Sequence, residues 1–152
     1  MRITAGFFLV RKDYKILICH PTKAKDTVWS IPKGMLDEGE DPISGAVRET
    51  IEEINVDVSR WNFIHRLSPV KYRKTKKELH AWALFESQNH FDFDEFDLKC
   101  NSNVPTALGG YPEMDDYKYA TIEEARPLLH DAQVACLDEL EKIIQSMTKT
   151  KK

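Results

Sequence analysis

The sequence is poor in cysteine, nearly balanced in charge and free of any long apolar run. Its three cysteines, Cys19, Cys100 and Cys136, are scattered and odd in number. No CxxC pair or Cys/His cluster is present to build a zinc site. Cys19 closes the run "KILIC" and Cys136 sits among apolar helix positions. Both therefore read as small buried hydrophobes rather than nucleophiles. Scattered cysteines point to a reducing compartment, and the cytoplasm is the expectation. The opening "MRITAGFFLVRK" has too short an apolar run, too soon followed by charge, for a signal peptide or a membrane span. A net charge of −3 and a pI near 6.0 give no global pull toward nucleic acid or an anionic membrane. Any grip on an anionic substrate must come from a local basic patch or a bound metal. No repeat, low-complexity tract or Pro/Ser-rich linker divides the 152 residues. That length fits one domain with its own core, expected over residues 1–148, with 149–152 as a solvated basic tail.

What is present begins with two strand-like runs, "ITAGFFLVRK" and "YKILICHP", joined across Lys12-Asp13 as in a hairpin. "WNFIHRLSPVKY" and "ELHAWALFES" read as two more strands around the basic turn "RKTKK". Leu79, Ala81, Ala83 and Phe85 alternate with His80, Trp82 and Leu84, leaving both faces rather apolar, as an inner strand requires. Residues 87–112 are irregular and long enough to hold a functional loop. "MDDYKYA" predicts a last strand, Thr121 with Glu124 forms a capping box, and an amphipathic helix is expected over roughly 131–147. The order is that of an α+β or mixed α/β/α domain.

The informative stretch is "GMLDEGEDPISGAVRETIEEINV", residues 34–56. Asp41 and Pro42 start a helix, one as an N-cap carboxylate and the other preset at the first helical position. Ile43, Ala46, Val47, Thr50, Ile51 and Ile54 recur at three and four and are expected to bury one face. Glu49, Glu52 and Glu53 are then expected to project from the other side. A solvated charged face is the ordinary explanation for such residues, and three features argue against it. The acids lie in the second half of the helix, away from the favourable N-terminal dipole. No lysine follows any of them at four residues to relieve the repulsion. Glu40 adds a further carboxylate just before the cap. A self-repelling cluster of carboxylates is what a hard divalent cation binds.

The same stretch resembles the signature of the Nudix hydrolases: Gly, five residues, Glu, seven residues, Arg-Glu, an aliphatic, any residue, Glu-Glu, any residue, Gly, an aliphatic. Gly34, Glu40, Arg48, Glu49, Glu52, Glu53 and Val56 fall on it in register. Thr50 stands where the pattern has an aliphatic, and Asn55 where it has the glycine that ends the helix. Asn is the next-best residue for a left-handed cap, so the expected cost is small.

The resemblance implies an αβα sandwich with a mixed β-sheet between helices. It also implies metal-dependent hydrolysis of a diphosphate linkage in a nucleoside diphosphate derivative. Glu49, Glu52 and Glu53 would bind Mg²⁺ or Mn²⁺, with the carbonyl of Gly34 as a further ligand. Glu40 and Arg48 would form a supporting ion pair. The general base stays open between Glu53, alone or with Glu52 beside it, and a carboxylate outside the helix. Glu113 in "YPEMDD" is the candidate there, and a plain acidic turn is the alternative.

"VWSIPKG" is similar to the Trp-x-x-Pro-Lys-Gly entry of Nudix enzymes that act on dinucleoside polyphosphates, diphosphoinositols or RNA 5′ ends, which would put Lys33 on a phosphate. Arg73 and Lys74, in the basic turn with Lys71, Lys76 and Lys77, are further substrate-binding candidates. Tyr72, Trp82 and Tyr111 are candidates for base stacking. Residues 111–140 look like the tail of small bacterial and phage Nudix proteins. Dinucleoside polyphosphates and ADP-ribose-type compounds are the favoured substrates, and an RNA 5′-end pyrophosphohydrolase is the alternative. A catalytically idle nucleotide sensor, from another class, would usually have lost one of the signature acids. Whether the chain forms a homodimer is left open.

Overall fold

The computed structural model describes residues 2–149. Its axis is β1 (Arg2–Val10), buried from Thr4 to Val10 and hydrogen-bonded on both sides. On one side β1 runs parallel to β6 (Lys77–Phe85) along its whole length, from Arg2↔Lys77 to Val10↔Phe85. On the other side it meets two short partners in turn. Its far end pairs antiparallel with β2 (Ile16–Pro21) at Val10↔Ile16. Its near end pairs antiparallel with β3 (Lys33–Met35) at Thr4↔Met35, Ala5↔Gly34 and Gly6↔Lys33. β2 in turn carries β7 (Met114–Ala120), and the longest path through this mixed sheet runs from β4 (His65–Arg66) through β6, β1 and β2 to β7.

The expected single strand before the basic turn is two. β4 (His65–Arg66) pairs β6 at Ala83 and Trp82, and β5 (Val70–Lys71) pairs it at Leu79 and Glu78. Pro69 lies between them and has no N–H for the ladder, so pairing stops and resumes with one extra residue on this side. β6 is the expected inner strand.

Both faces of the sheet are covered, which is why its strands read as near-continuous apolar runs. One face packs Phe8, Ile16, Ile18, Leu79 and Phe85 against α2 (Ile122–Ala125) and α3 (Asp131–Lys149), through Ala125, Cys136, Leu137 and Leu140. The other packs Phe7, Leu9, Leu17, Trp82 and Leu84 under α1 (Pro42–Ile54) and the segment bearing Phe93. Each large side chain so buried contributes about 1.5–3 kcal/mol. Trp82, a stacking candidate from sequence, is only 6% exposed and rests on Phe7 with ring centroids 6.1 Å apart, so it belongs to the core. Cys19 and Cys136 are buried and all three cysteines are free. α3 runs two residues past its expected end and takes in Lys149, while tail residues 150–152 lie outside the described residues. Among the described residues no helix is long and apolar enough to cross a membrane.

Candidate active site

α1 is fixed at both ends by its own residues. The Asp41 carboxylate accepts the Ser44 N–H at 3.1 Å, and Asn55 closes the helix in the left-handed region at φ 62°. Its last carbonyls, which have no partner within the helix, are taken up by the chain returning from residue 99. Asn101 N–H donates to Glu52 O at 2.7 Å and its side-chain amide to Ile51 O at 2.9 Å. The Tyr117 hydroxyl donates to Glu53 O at 3.1 Å. Thr50 is fully buried and returns its hydroxyl to Ala46 O at 2.8 Å, so it fills the aliphatic position without an orphaned polar group.

The acids do not form the outer face that their spacing predicts. Glu49 and Glu53 are 8% and 4% exposed, because β3 folds against the flank of α1 that a helical wheel leaves open. The Lys33 N–H donates to Glu53 Oε1 at 3.1 Å. Gly34 lies so close to the Glu49 carboxyl group that a Cβ there would overlap it. A side chain at residue 34 would push the Glu49 carboxyl group aside, and glycine leaves it in place. Burial, with the charges of Glu49 and Glu113 added and the Lys33 N–H opposing, pushes Glu53 up to about 8. Burial also raises Glu49, against the pull of Arg48.

Arg48 organises the remaining oxygens. Its Nε and Nη2 bind Glu40 Oε2 and Oε1 at 2.9 and 3.0 Å, a two-pronged pair that holds Glu40 below its ordinary range. Nη1 reaches Glu49 at 2.8 Å and Glu52 at 3.1 Å, and Nη2 also donates to Met35 O at 3.0 Å. One guanidinium thus ties the loop before α1 to two of its acids.

A cleft of about 360 Å³ opens beside this cluster, lined among others by Thr22, Lys33, Glu53, Tyr111 and Glu113. Glu113, distant in sequence, therefore stands with Glu53 and Lys33. Thr22 and Tyr111 have no sequence signal at this site apart from the aromatic character of Tyr111. The buried Thr22 hydroxyl has no hydrogen-bond partner among the described residues.

A family model described as NUDIX domain matches residues 1–140. The chain belongs to the Nudix family. An RNA pyrophosphohydrolase of Gluconobacter oxydans is 39% identical over 59 residues, covering 39% of this chain and 35% of the relative. The chain spans at most 60% of the length of the first curated relatives it matches. An Ap4A hydrolase of C. elegans, solved as a binary complex, superposes with a TM-score of 0.70 at 22% identity, over 94% of this chain and 98% of the other. The NUDIX domain of Shewanella oneidensis NrtR, solved with ADP ribose, gives 0.65 at 15% identity, over 93% of this chain and 87% of the other. At such identities these two establish the fold, the expected Nudix sandwich.

Nudix enzymes use a divalent metal, and the donor set here suits one. All the side-chain donors are carboxylate oxygens, as a hard cation takes. Glu49 and Glu53 are buried with like charges nearby, and Gly34 leaves its backbone open against Glu49. Among the described residues no three acids, histidines or cysteines already converge on one point. Arg48 occupies oxygens of Glu49 and Glu52 instead.

Arg73 and Lys74 are not brought to this cleft. They line a separate cavity of about 590 Å³ between the basic turn and the start of α3, with Tyr72 and His130 among its walls. Tyr72 stacks on His130 at 5.0 Å and its hydroxyl meets Thr4 Oγ1 at 3.1 Å.

Proposed function

We propose that this Nudix protein hydrolyses the diphosphate linkage of a nucleoside diphosphate derivative, with dinucleoside polyphosphates and ADP-ribose-type compounds as the favoured substrates. The observation that carries this reading is the convergence of Glu53, Glu113 and Lys33 on one cleft beside Glu49 and Glu52. Glu49, Glu52 and Glu53, with the Gly34 carbonyl, would hold Mg²⁺ or Mn²⁺. When bound, the metal supplies a lower pKa for water and neutralises phosphate charge. Glu113 takes the proton from the attacking water, the water oxygen bonds to phosphorus, and the bridging P–O bond breaks. Two phosphate-bearing products leave. Lys33 binds the phosphate chain from the cleft wall, and the Arg48–Glu40 pair keeps the helix and its preceding loop in register. Arg73 and Lys74 line the second cavity, where the far end of an extended substrate would lie. Support comes from the Ap4A hydrolase and the ADP-ribose-bound NUDIX domain that share the fold. Three free cysteines accord with a cytoplasmic location.

The division of roles is tested by kinetics of Glu113→Gln and Glu53→Gln. Loss of the base lowers kcat by about 10²–10⁴-fold with metal affinity retained. Loss of Glu53 removes detectable metal binding as well. Glu113→Gln with full activity would remove that residue from the mechanism.

A second reading, 5′-end hydrolysis of RNA, is favoured by the names of two relatives and by the basic turn with Lys71, Arg73, Lys74, Lys76 and Lys77. It requires RNA binding that weakens steeply with added salt.

A further inference from the structure

The pairing of β2 with β7 contains one irregularity. His20 faces Asp116, but the next residue, Pro21, faces Met114, so Asp115 is an extra residue on β7. In a regular ladder through Asp115 side chains would keep alternating, and Met114 would fall on the same face as Asp116. Instead Met114 packs into the α1-side core with Tyr117 and Tyr119, and Asp115 shares a hollow with Asp116, His20, Asp26 and Trp29. Glu113 is the residue immediately before this bulge. If the bulge closed, everything before it would move along β2 by one residue, about 3.4 Å. That displacement exceeds the tolerance of a catalytic carboxylate.

His20 holds the bulge. It is 7% exposed, its Nδ1 donates to Asp115 Oδ1 at 2.6 Å, and its Nε2 donates to Lys25 O at 3.0 Å. Both partners are acceptors, so the ring carries both protons. One charged ring thereby joins the bulge to the loop after β2. That loop returns to the cleft: Thr22 N–H donates to Glu113 O at 2.9 Å, and Lys23 Nζ lies 4.1 Å from the centroid of the Tyr111 ring. Glu113 N–H is held from the other side by Ser102 O at 3.1 Å.

We propose that His20 and Asp115 are positioning residues: their ion pair locks the β7 bulge and so fixes where Glu113 stands in the cleft with Lys33 and Glu53. The inference rests on the role given to Glu113 above.

Two variants test it, His20→Gln and Asp115→Ala, the second at a half-exposed side chain outside the hydrophobic core. Amide hydrogen exchange is read first and needs no turnover. The Thr22 and Glu113 amides exchange about tenfold faster in both variants, while the Phe7 amide, bonded to Pro32 O away from the bulge, is unchanged. Hydrolysis of diadenosine tetraphosphate or ADP-ribose with Mg²⁺ then loses about tenfold or more in kcat, with KM within about twofold. In a Glu113→Gln background the same substitutions cost nothing further. Unchanged exchange at Thr22 and Glu113 overturns the clamp, as does an equal kcat loss in the Glu113→Gln background. Full kcat in Glu113→Gln alone overturns the role of Glu113 and the clamp's catalytic purpose together. A slow Glu113→Gln enzyme beside a fully active His20→Gln enzyme overturns the clamp alone.

Discussion

Substituting Glu53 by Gln in the metal-free protein should make it more stable at alkaline pH while abolishing its response to Mg²⁺. Burial places the Glu53 carboxyl near 8 in the folded chain, against 4.5 for the free side chain. A carboxyl raised on folding ionises first in the unfolded chain. Its favourable contribution is therefore complete below about pH 4.5, declines as pH rises, and is gone above about pH 8. At about 1.4 kcal/mol per pH unit the full difference approaches 5 kcal/mol. Relaxation around a buried charge reduces this, and about 2–4 kcal/mol is expected. At this chain length that is a fall in Tm of roughly 5–12 °C between pH 5 and pH 8.5 in chelator. Gln is nearly isosteric and uncharged, so Glu53→Gln should flatten that part of the profile. Adding Mg²⁺ at pH 8 should restore the wild type by about 2.7 kcal/mol at a hundredfold excess over Kd, and should leave the variant unmoved. Calorimetry or urea titration at the two pH values, with chelator and with Mg²⁺, reads all four states. An identical pH profile in wild type and Glu53→Gln would refute the reasoning.

Arg48→Gln should destabilise by about 2–4 kcal/mol in urea unfolding, because it strands Glu40, Glu49 and Glu52 without their shared cation. Asn55→Gly should change stability by no more than about 1 kcal/mol with activity intact, since glycine accepts the left-handed cap at no steric cost while the exposed side-chain bonds to Asp97 O and from Asn101 are lost. Leu137→Ala, in the α3 face of the core and fully buried, should cost about 2–5 kcal/mol in thermal unfolding while leaving KM unchanged in the surviving folded fraction.

Features governed by local chemistry could be read from the chain. The α1 boundaries followed from the Asp41-Pro42 start and the Asn55 stop, β7 was found at its observed limits, and the Thr121–Glu124 capping box is formed. What escaped depends on contacts between distant segments. The burial of Glu49 and Glu53 could not be seen on a helical wheel, because β3 covers that flank only after pairing with β1. The break between β4 and β5 was signalled by Pro69, inside a run read as one strand. His20 stood within an expected strand, one residue before its end. Its role depends on Asp115, nearly a hundred residues away and displaced by a bulge that alternation cannot reveal. Arg73 and Lys74 were chosen for the charge of their turn and Lys33 for its place in "VWSIPKG", and the fold separates them into two cavities.

The most direct test is product analysis by chromatography. Wild type and Glu53→Gln are incubated with Mg²⁺ and diadenosine polyphosphates, ADP-ribose, NADH, FAD, dNTPs and triphosphorylated RNA. The account predicts Mg²⁺-dependent cleavage of a dinucleoside polyphosphate or ADP-ribose-type compound to two phosphate-bearing products, absent from the variant and from wild type in chelator. Cleavage that persists in Glu53→Gln or in chelator, or no cleavage of any compound beside tight nucleotide binding, would contradict it.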